Sequence, residues 1–432
     1  MFFFKPSVCD LLRSVTEPLS GRGPGNFSYQ PETNPLISFT AIPEKLLCSV
    51  TVVFLLAGCS SKPSEIKETG MYGSPEAGKV YNLSLYGNIV PSGKKDGMLV
   101  ADGYVSYTDL AGDNEPLILC TQPGCLHNDE TCDAWIGNAS YFIADHDIWY
   151  YMICDTDHHW AELHSYNYQN KERKLTARWE CGSDTFLSTD WMYRDHEKIY
   201  VSIFQSTVRP DGQIEETHFT DCISLLNGTK ETVPGSEREG FRFFCAWNNA
   251  LIYELSGMRE VPEDYDTWIS SGKTDEEYDA YLQTLMKNEL HMRKENEDIL
   301  LASDYSLSAN GAYGKWLCYT EDDTVKVLDM ESGETVTKQC TDIQGVHAFD
   351  GHLLMIAGED VNGYRLLCAA LPDLSDMRDI SGQTFEGSIP FSVHAETENG
   401  FYGISQGSYC WIRKQDFYSG HFDKTIVLKS IS

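Results

Sequence analysis

Asp145-His146-Asp147-Ile148-Trp149-Tyr150, Asp195-His196-Glu197-Lys198-Ile199-Tyr200 and Asn248-Asn249-Ala250-Leu251-Ile252-Tyr253 are three versions of one local pattern. A short apolar strand reaches a turn of Asp, Asn or Gly, and an aromatic-rich strand leaves it, as expected of a half-buried antiparallel hairpin. An earlier instance is Ala101-Asp102-Gly103-Tyr104-Val105-Ser106, and three weaker ones end at Cys318, Met355 and Gly403. The recurrence gives a mean period of about 50 residues.

Most units add a second hairpin. These fall at Tyr166–Leu175 around Asn170, Ser224–Val233 around Asn227-Gly228, and Val327–Val336 around Ser332-Gly333. Two more are expected at Ala370–Ile380 and at Gln415–Ile426 around Ser419-Gly420. Two hairpins per period make one four-stranded antiparallel sheet. Such a sheet buries both faces only by stacking radially with its neighbours, which is a β-propeller. The expected fold is therefore all-β, with about seven four-stranded blades at 81–122, 138–180, 186–233, 240–302, 305–340, 343–381 and 386–429. A ring closed by strands from both termini would make the number six or eight. A pair of β-sandwiches would need a linker, and no composition break supplies one. The turn Leu328-Asp329-Met330-Glu331-Ser332-Gly333-Glu334 resembles the outer-hairpin turn of quinoprotein-type and YVTN-type propellers, where it is structural.

The fourth unit is interrupted by a polar insertion, expected over 258–297. Thr274-Asp275-Glu276-Glu277 reads as a capping box. Tyr278, Tyr281, Leu282, Leu285 and Met286 follow at the spacing of an amphipathic helix. Such a helix would pack on its own propeller face, cap the central channel or bind a partner.

Before the propeller, an apolar run from Leu46 to Leu56 ends in Leu56-Ala57-Gly58-Cys59 and a Ser60-Ser61-Lys62-Pro63 tether. The run is too short to cross a bilayer as a helix, which takes roughly 20 apolar residues. The four residues resemble the lipobox of bacterial lipoproteins. That resemblance implies acylation of the Cys59 thiol, cleavage before it, and a chain held at the outer face of the cytoplasmic membrane. Residues 1–58 then form a leader and signal peptide, with 1–40 read as a misassigned start and translation beginning near Ile42. Residues 59–80 form a flexible tether and 81–432 the propeller.

The formal net charge is −32, with 65 acidic against 33 basic side chains. Such a surface repels nucleic acid and anionic lipid, so nucleic acid is not an expected partner. Aromatic residues make up 12% of the chain, ample for a large core.

Eleven cysteines follow Cys59, at 120, 125, 132, 154, 181, 222, 245, 318, 340, 368 and 410. The odd number excludes a fully paired intramolecular set. Most lie singly in apolar runs and read as small buried hydrophobes. So many isolated thiols in an exported chain imply an anaerobic habitat.

The densest chemistry is Cys120-Thr-Gln-Pro-Gly-Cys125-Leu-His127-Asn-Asp-Glu-Thr-Cys132. Cys120, Cys125, His127 and Cys132 make a soft sulfur and nitrogen set suited to structural zinc. Pro123-Gly124 would make the tight turn, with Asn128 and Asp129 as outer acceptors. A disulfide, Cys125–Cys132 or Cys120–Cys132, would also pin this loop, and both readings stand open. Four protein ligands leave no position for substrate, so either role is structural. The Cys-x-x-Pro-x-Cys-x-His-x4-Cys run after a first propeller strand resembles one in uncharacterised exported β-propeller lipoproteins of anaerobic gut Firmicutes. The resemblance implies the same fold and location, and assigns no activity.

A weaker polar group is Asp155, Asp157, His158, His159 and His164, where a hairpin would bring His159 and a carboxylate onto one ion. Trp135, Trp149, Trp160 and Trp191 are candidates for stacking on sugars from blade loops, with half or more expected in the blade core. Sialidase boxes, Gly-x-Ser-x-Gly elbows and glycine-rich phosphate loops do not occur. The expected function is binding of a glycan, peptide or envelope protein by one face of a tethered propeller. The alternative is a carbohydrate hydrolase or lyase with carboxylates at the channel mouth.

Overall fold

The computed structural model describes residues 89–91 and 96–428, except 146, 156, 196, 295–296, 308–310, 360–362 and 383–388. The leader, Cys59 and the tether lie outside the described residues. Seven antiparallel sheets follow one another along the chain, and each is built from consecutive strands. The fold is a seven-bladed β-propeller. No strand from one end of the chain completes a blade at the other among the described residues.

Blades two, three, four, six and seven are regular four-stranded sheets. Blade two, for example, runs Ala139–Asp145, Ile148–Cys154, Trp160–Asn167 and Glu172–Glu180 in that order. Two-residue turns tighten several hairpins. Asn248 and Asn249 have φ of 45° and 65°, Asp322 and Asp323 of 47° and 54°, and Asp350 and Gly351 of 51° and 68°. Two successive positive φ values match the twist of the flanking strands, and Asn, Asp and Gly tolerate them best. The fourth strands of blades three and six, Lys230–Thr232 and Arg378–Asp379, are exposed throughout, which puts them at the outer edge.

The core lies between blades. Tyr150, Met152 and Leu163 of blade two meet Leu187, Ile199 and Val201 of blade three. Phe243, Trp247 and Ile252 of blade four join blade three to blade five. Further clusters join blades five and six, and six and seven. Met98 and Leu110 of blade one pack with Tyr402 and Trp411 of blade seven. Each fully buried aromatic contributes about 1.5–3 kcal/mol against exposure. Polar contacts complete the ring closure. Asp96 accepts hydrogen bonds from Thr397 Oγ1 at 2.8 Å, Asn399 N at 2.7 Å and Asn399 Nδ2 at 2.9 Å.

Three local expectations are corrected. Ala101–Ser106 is not a strand–turn–strand unit but the middle of one strand, Gly97–Asp109. Gly103, at φ 68°, produces a register shift in that strand rather than a reversal. In blade seven, Gln415–Ile426 holds a short helix, Lys414–Tyr418, and a 3-10 turn, Phe422–Lys424, in place of a simple hairpin. Phe417 and Phe422 are buried against Phe391 there, so packing outcompetes the Ser-Gly turn signal.

The helical insertion in blade four is also shorter than 258–297. Two helices, Tyr265–Ser270 and Asp275–Leu285, occupy it, and strand Met286–Lys294 starts at once and pairs with Ala250–Met258. The capping box forms as expected: Thr274 accepts from Glu277 N at 3.2 Å, and Glu277 accepts from Thr274 N at 2.9 Å. Met286 ends the helix instead of extending its apolar face. Its run of charged residues reads as insertion in sequence, whereas pairing on both edges makes it the third strand of the blade.

Candidate metal centre

Blade one is irregular, and its irregularity carries the cysteines. Its short strands Pro116–Ile118 and Trp135–Gly137 both pair with Gly97–Asp109, and the segment 119–134 between them forms a loop. Leu119 N donates to the Val105 carbonyl at 3.0 Å, and Val105 N donates to the Ala134 carbonyl at 2.8 Å. Both ends of the loop are therefore fixed to one residue of the central strand.

Within the loop, one ligand atom each from Cys120, Cys125, His127 and Cys132 lies within 4.8 Å of the others. His127 Nδ1 is 3.3 Å from Cys132 Sγ. Zinc bonds of about 2.3 Å to sulfur and 2.0–2.1 Å to nitrogen place neighbouring ligand atoms about 3.6–3.8 Å apart in a tetrahedron. A contraction of at most about 1 Å at any pair would bring the four onto one ion. The three thiols carry no disulfide.

The backbone is shaped to serve the sulfurs. Each accepts an amide from two residues ahead: Gln122 N to Cys120 at 3.5 Å, His127 N to Cys125 at 3.4 Å, and Ala134 N to Cys132 at 3.3 Å. Amides aimed at sulfur favour the thiolate, the form that binds metal. Gly124 at φ 75° and His127 at φ 58° make the two reversals that bring the ligands round. Burial raises the Cys120 thiol, but amide hydrogen bonds and the neighbouring thiols outweigh it and hold it below its usual value. Burial pushes Cys132 up to about 12. A cation would have to displace that proton.

The residues bracing the loop are ones the sequence did not single out. Burial works against ionisation of Asp133, yet Thr121, Gln122 and Lys171 hold its carboxyl below the usual range. Asp133 accepts from the Thr121 hydroxyl and from Gln122 Nε2 at 2.9 Å, and Lys171 Nζ of blade two lies 3.4 Å away. Arg173, also of blade two, donates to the Cys132 carbonyl and to the Tyr151 hydroxyl, each at 3.0 Å. Position 133 beside a ligand was a usable signal, but nothing in the sequence points from Arg173 to a loop forty residues earlier. Asp129, expected as an outer acceptor, instead closes its own turn through Thr131 N at 2.9 Å.

The weaker polar group does not converge. Asp155 accepts from Trp160 N at 3.0 Å, His159 Nδ1 faces the Thr185 carbonyl at 3.1 Å, and Asp157 and His158 are exposed. His164 pairs with Glu162 at 2.7 Å and stacks on Tyr151 across the strand. Hairpin closure uses Asp155, and strand register carries His164 elsewhere. Among the described residues only the Cys/His loop gathers three or more such ligands. The four tryptophans all lie in strands rather than loops, and none is exposed. Trp149 is fully buried, Trp191 stacks on Phe243 at 4.9 Å, and Arg178 lies 5.2 Å over the Trp160 ring.

No protein-family model and no curated protein matches the chain. Among solved structures, it is similar to the β-propeller domain of the Trilobed protease from Pyrococcus furiosus. That likeness has 9% identity and a TM-score of 0.41, covering 80% of this chain and 97% of that one. The Pyrococcus horikoshii acylaminoacyl peptidase matches at 12% identity and TM-score 0.44, covering 77% of this chain and 50% of that one. A puromycin-hydrolyzing peptidase from Mycobacterium tuberculosis matches at 12% and 0.44, covering 83% and 56%. The chain thus spans about half the length of these two peptidases, and the likeness reaches no further than the fold.

Proposed function

We propose that this chain is an exported, lipid-anchored propeller that binds a glycan, peptide or envelope protein, with a structural zinc held by Cys120, Cys125, His127 and Cys132. The observation that carries the binding reading is the architecture itself: seven blades present their connecting loops as two broad faces, a common platform for recognition. Support for the anchor comes from Leu56-Ala57-Gly58-Cys59 and its tether. Support for zinc comes from three sulfurs and one imidazole in mutual reach, with amides directed at each sulfur. In this reading the ion cross-links the loop that stands between the two short strands of blade one. With four protein ligands it would have no open position for substrate.

A thermal-shift screen of the full chain against cell-wall glycans, dietary glycans and peptides tests the binding reading, because a ligand for the native state raises the melting point by mass action. A hit is the expected outcome, and turnover of that compound would replace the binding reading with the carbohydrate-enzyme one. Membrane association and incorporation of labelled fatty acid should both be lost in Cys59→Ser. Persistence of either would remove the anchor.

A further inference from the structure

The insertion in blade four is built as a self-contained unit. The connection between second and third strands is two residues in blade five and two in blade seven, whereas here it spans 259–285. Its two helices meet through an aromatic cluster. Trp268 stacks on Tyr281 at 4.7 Å, Tyr278 meets Trp268 edge-on at 5.4 Å, and Lys273 lies 3.5 Å over the Trp268 ring. Tyr278 donates to the Glu263 carbonyl at 2.8 Å, and Tyr265 donates to Asp275 at 2.7 Å. Both helices carry side-chain N-caps, from Asp264 and Thr274.

This unit leaves apolar side chains outside. Val261 is 92% exposed, Tyr265 42% and Ile269 37%, and the last two lie one helical turn apart on the same face. Carboxylates flank them. Glu260 precedes Val261 and Asp266 follows Tyr265, and neither carboxylate makes a side-chain hydrogen bond or ion pair among the described residues. The two basic residues of the segment are engaged, Arg259 with Asp304 at 2.5 Å and Lys273 with the Trp268 ring. Tyr265 and Ile269 thus present apolar surface on one side of a preformed helix, with exposed carboxylates next to Val261 and Tyr265 in the chain.

We propose that the Val261, Tyr265 and Ile269 face is a docking surface for a cationic amphipathic segment of a partner protein. Its apolar side chains would cover this face, and its Lys or Arg residues would meet Glu260 and Asp266 at the rim. The inference rests on the reading of the chain as a binding module and names one of its partners by chemistry. An ordered insertion needs no induced folding, so the ordering cost on binding falls on the partner alone.

The test uses the full chain and a fluorescein-labelled 14-residue peptide with Leu and Lys at helical spacing, read by anisotropy at 150 mM salt. Val261→Ser with Ile269→Ser should weaken binding at least fivefold, and so should Glu260→Lys with Asp266→Lys. Glu216→Lys with Glu334→Lys, an equal charge change on blades three and five, should leave it within twofold. Equal losses in this control would show attraction to net charge alone and overturn the proposal, as would unchanged binding in the serine pair. All substituted side chains are exposed, and an unchanged melting point confirms folding. If the peptide fails to bind while a glycan still raises the melting point, the docking surface is refuted and the binding-module reading survives.

Discussion

Ring closure through Asp96 gives the sharpest quantitative test. Its carboxylate takes three hydrogen bonds from Thr397 and Asn399, about three hundred residues later in the chain. Thr397 is itself buried and accepts from Trp411 Nε1 at 3.0 Å, so losing the carboxylate reaches the packed core between blades seven and one. A hydrogen bond to a charged group contributes about 1.5–3 kcal/mol when buried. Asn399 is exposed and water can replace part of the loss, so roughly 1 kcal/mol per bond is the better figure here. Asp96→Ala should therefore cost about 3 kcal/mol. With an unfolding entropy of about 2.1 cal/mol/K per residue over the roughly 340 residues of the propeller, the melting point should fall by about 4 °C. Thermal melts followed by near-ultraviolet circular dichroism measure it, with Asp96→Asn, which keeps one acceptor, falling between. A drop under 1 °C in Asp96→Ala would refute the claim that these contacts close the ring.

Three further outcomes follow from the same geometry. The full chain purified under reducing conditions with zinc should carry one equivalent. Substituting cobalt should give thiolate charge-transfer absorption, and Cys132→Ala should abolish both; a chain without metal whose cysteines are oxidised would favour the disulfide instead. Gly240→Ala should be severe, above about 2 kcal/mol, because a Cβ would stand 1.8 Å from the Ser256 carbonyl at a φ of 74°. Gly333→Ala meets nothing within 4 Å and should cost only the left-handed backbone term, about 1 kcal/mol, in the same melts. Finally, burial lowers both His347 and His394 from 6.5 to about 4, with the charge of His394 adding to the effect on His347. The unfolded chain then binds more protons between these values, so their contribution is full above about pH 6.5 and declines toward pH 4. Melting points across that range should fall less steeply in His394→Phe than in the parent.

The blade number and most blade limits were legible because each blade repeats a local signal. Period-two strands and Asn, Asp or Gly turns depend only on neighbours in sequence, and Asn248-Asn249 forms the tight reversal its composition implies. The cysteine loop was legible for the same reason, since its three cysteines and His127 lie within thirteen residues. Where the reading slipped, a distant contact had decided. Asp102-Gly103 looks like a turn, yet pairing of Gly103 and Tyr104 with Trp135–Gly137 carries the strand past it, so Gly103 makes a bulge and not a reversal. Lys287–Lys294 looks like polar insertion until strands on both sides claim it.

Sequence alone thus determined the repeat, the all-β class and the Cys/His cluster of the loop, since these follow from side-chain chemistry at short separation. Tertiary structure decided that the ring closes through Asp96, that Arg173 and Lys171 brace the cysteine loop from the next blade, and that the histidines after Cys154 disperse. Each of these depends on which residues meet across blades. That is set by radial stacking of sheets, whose contacts leave no periodic trace in the chain.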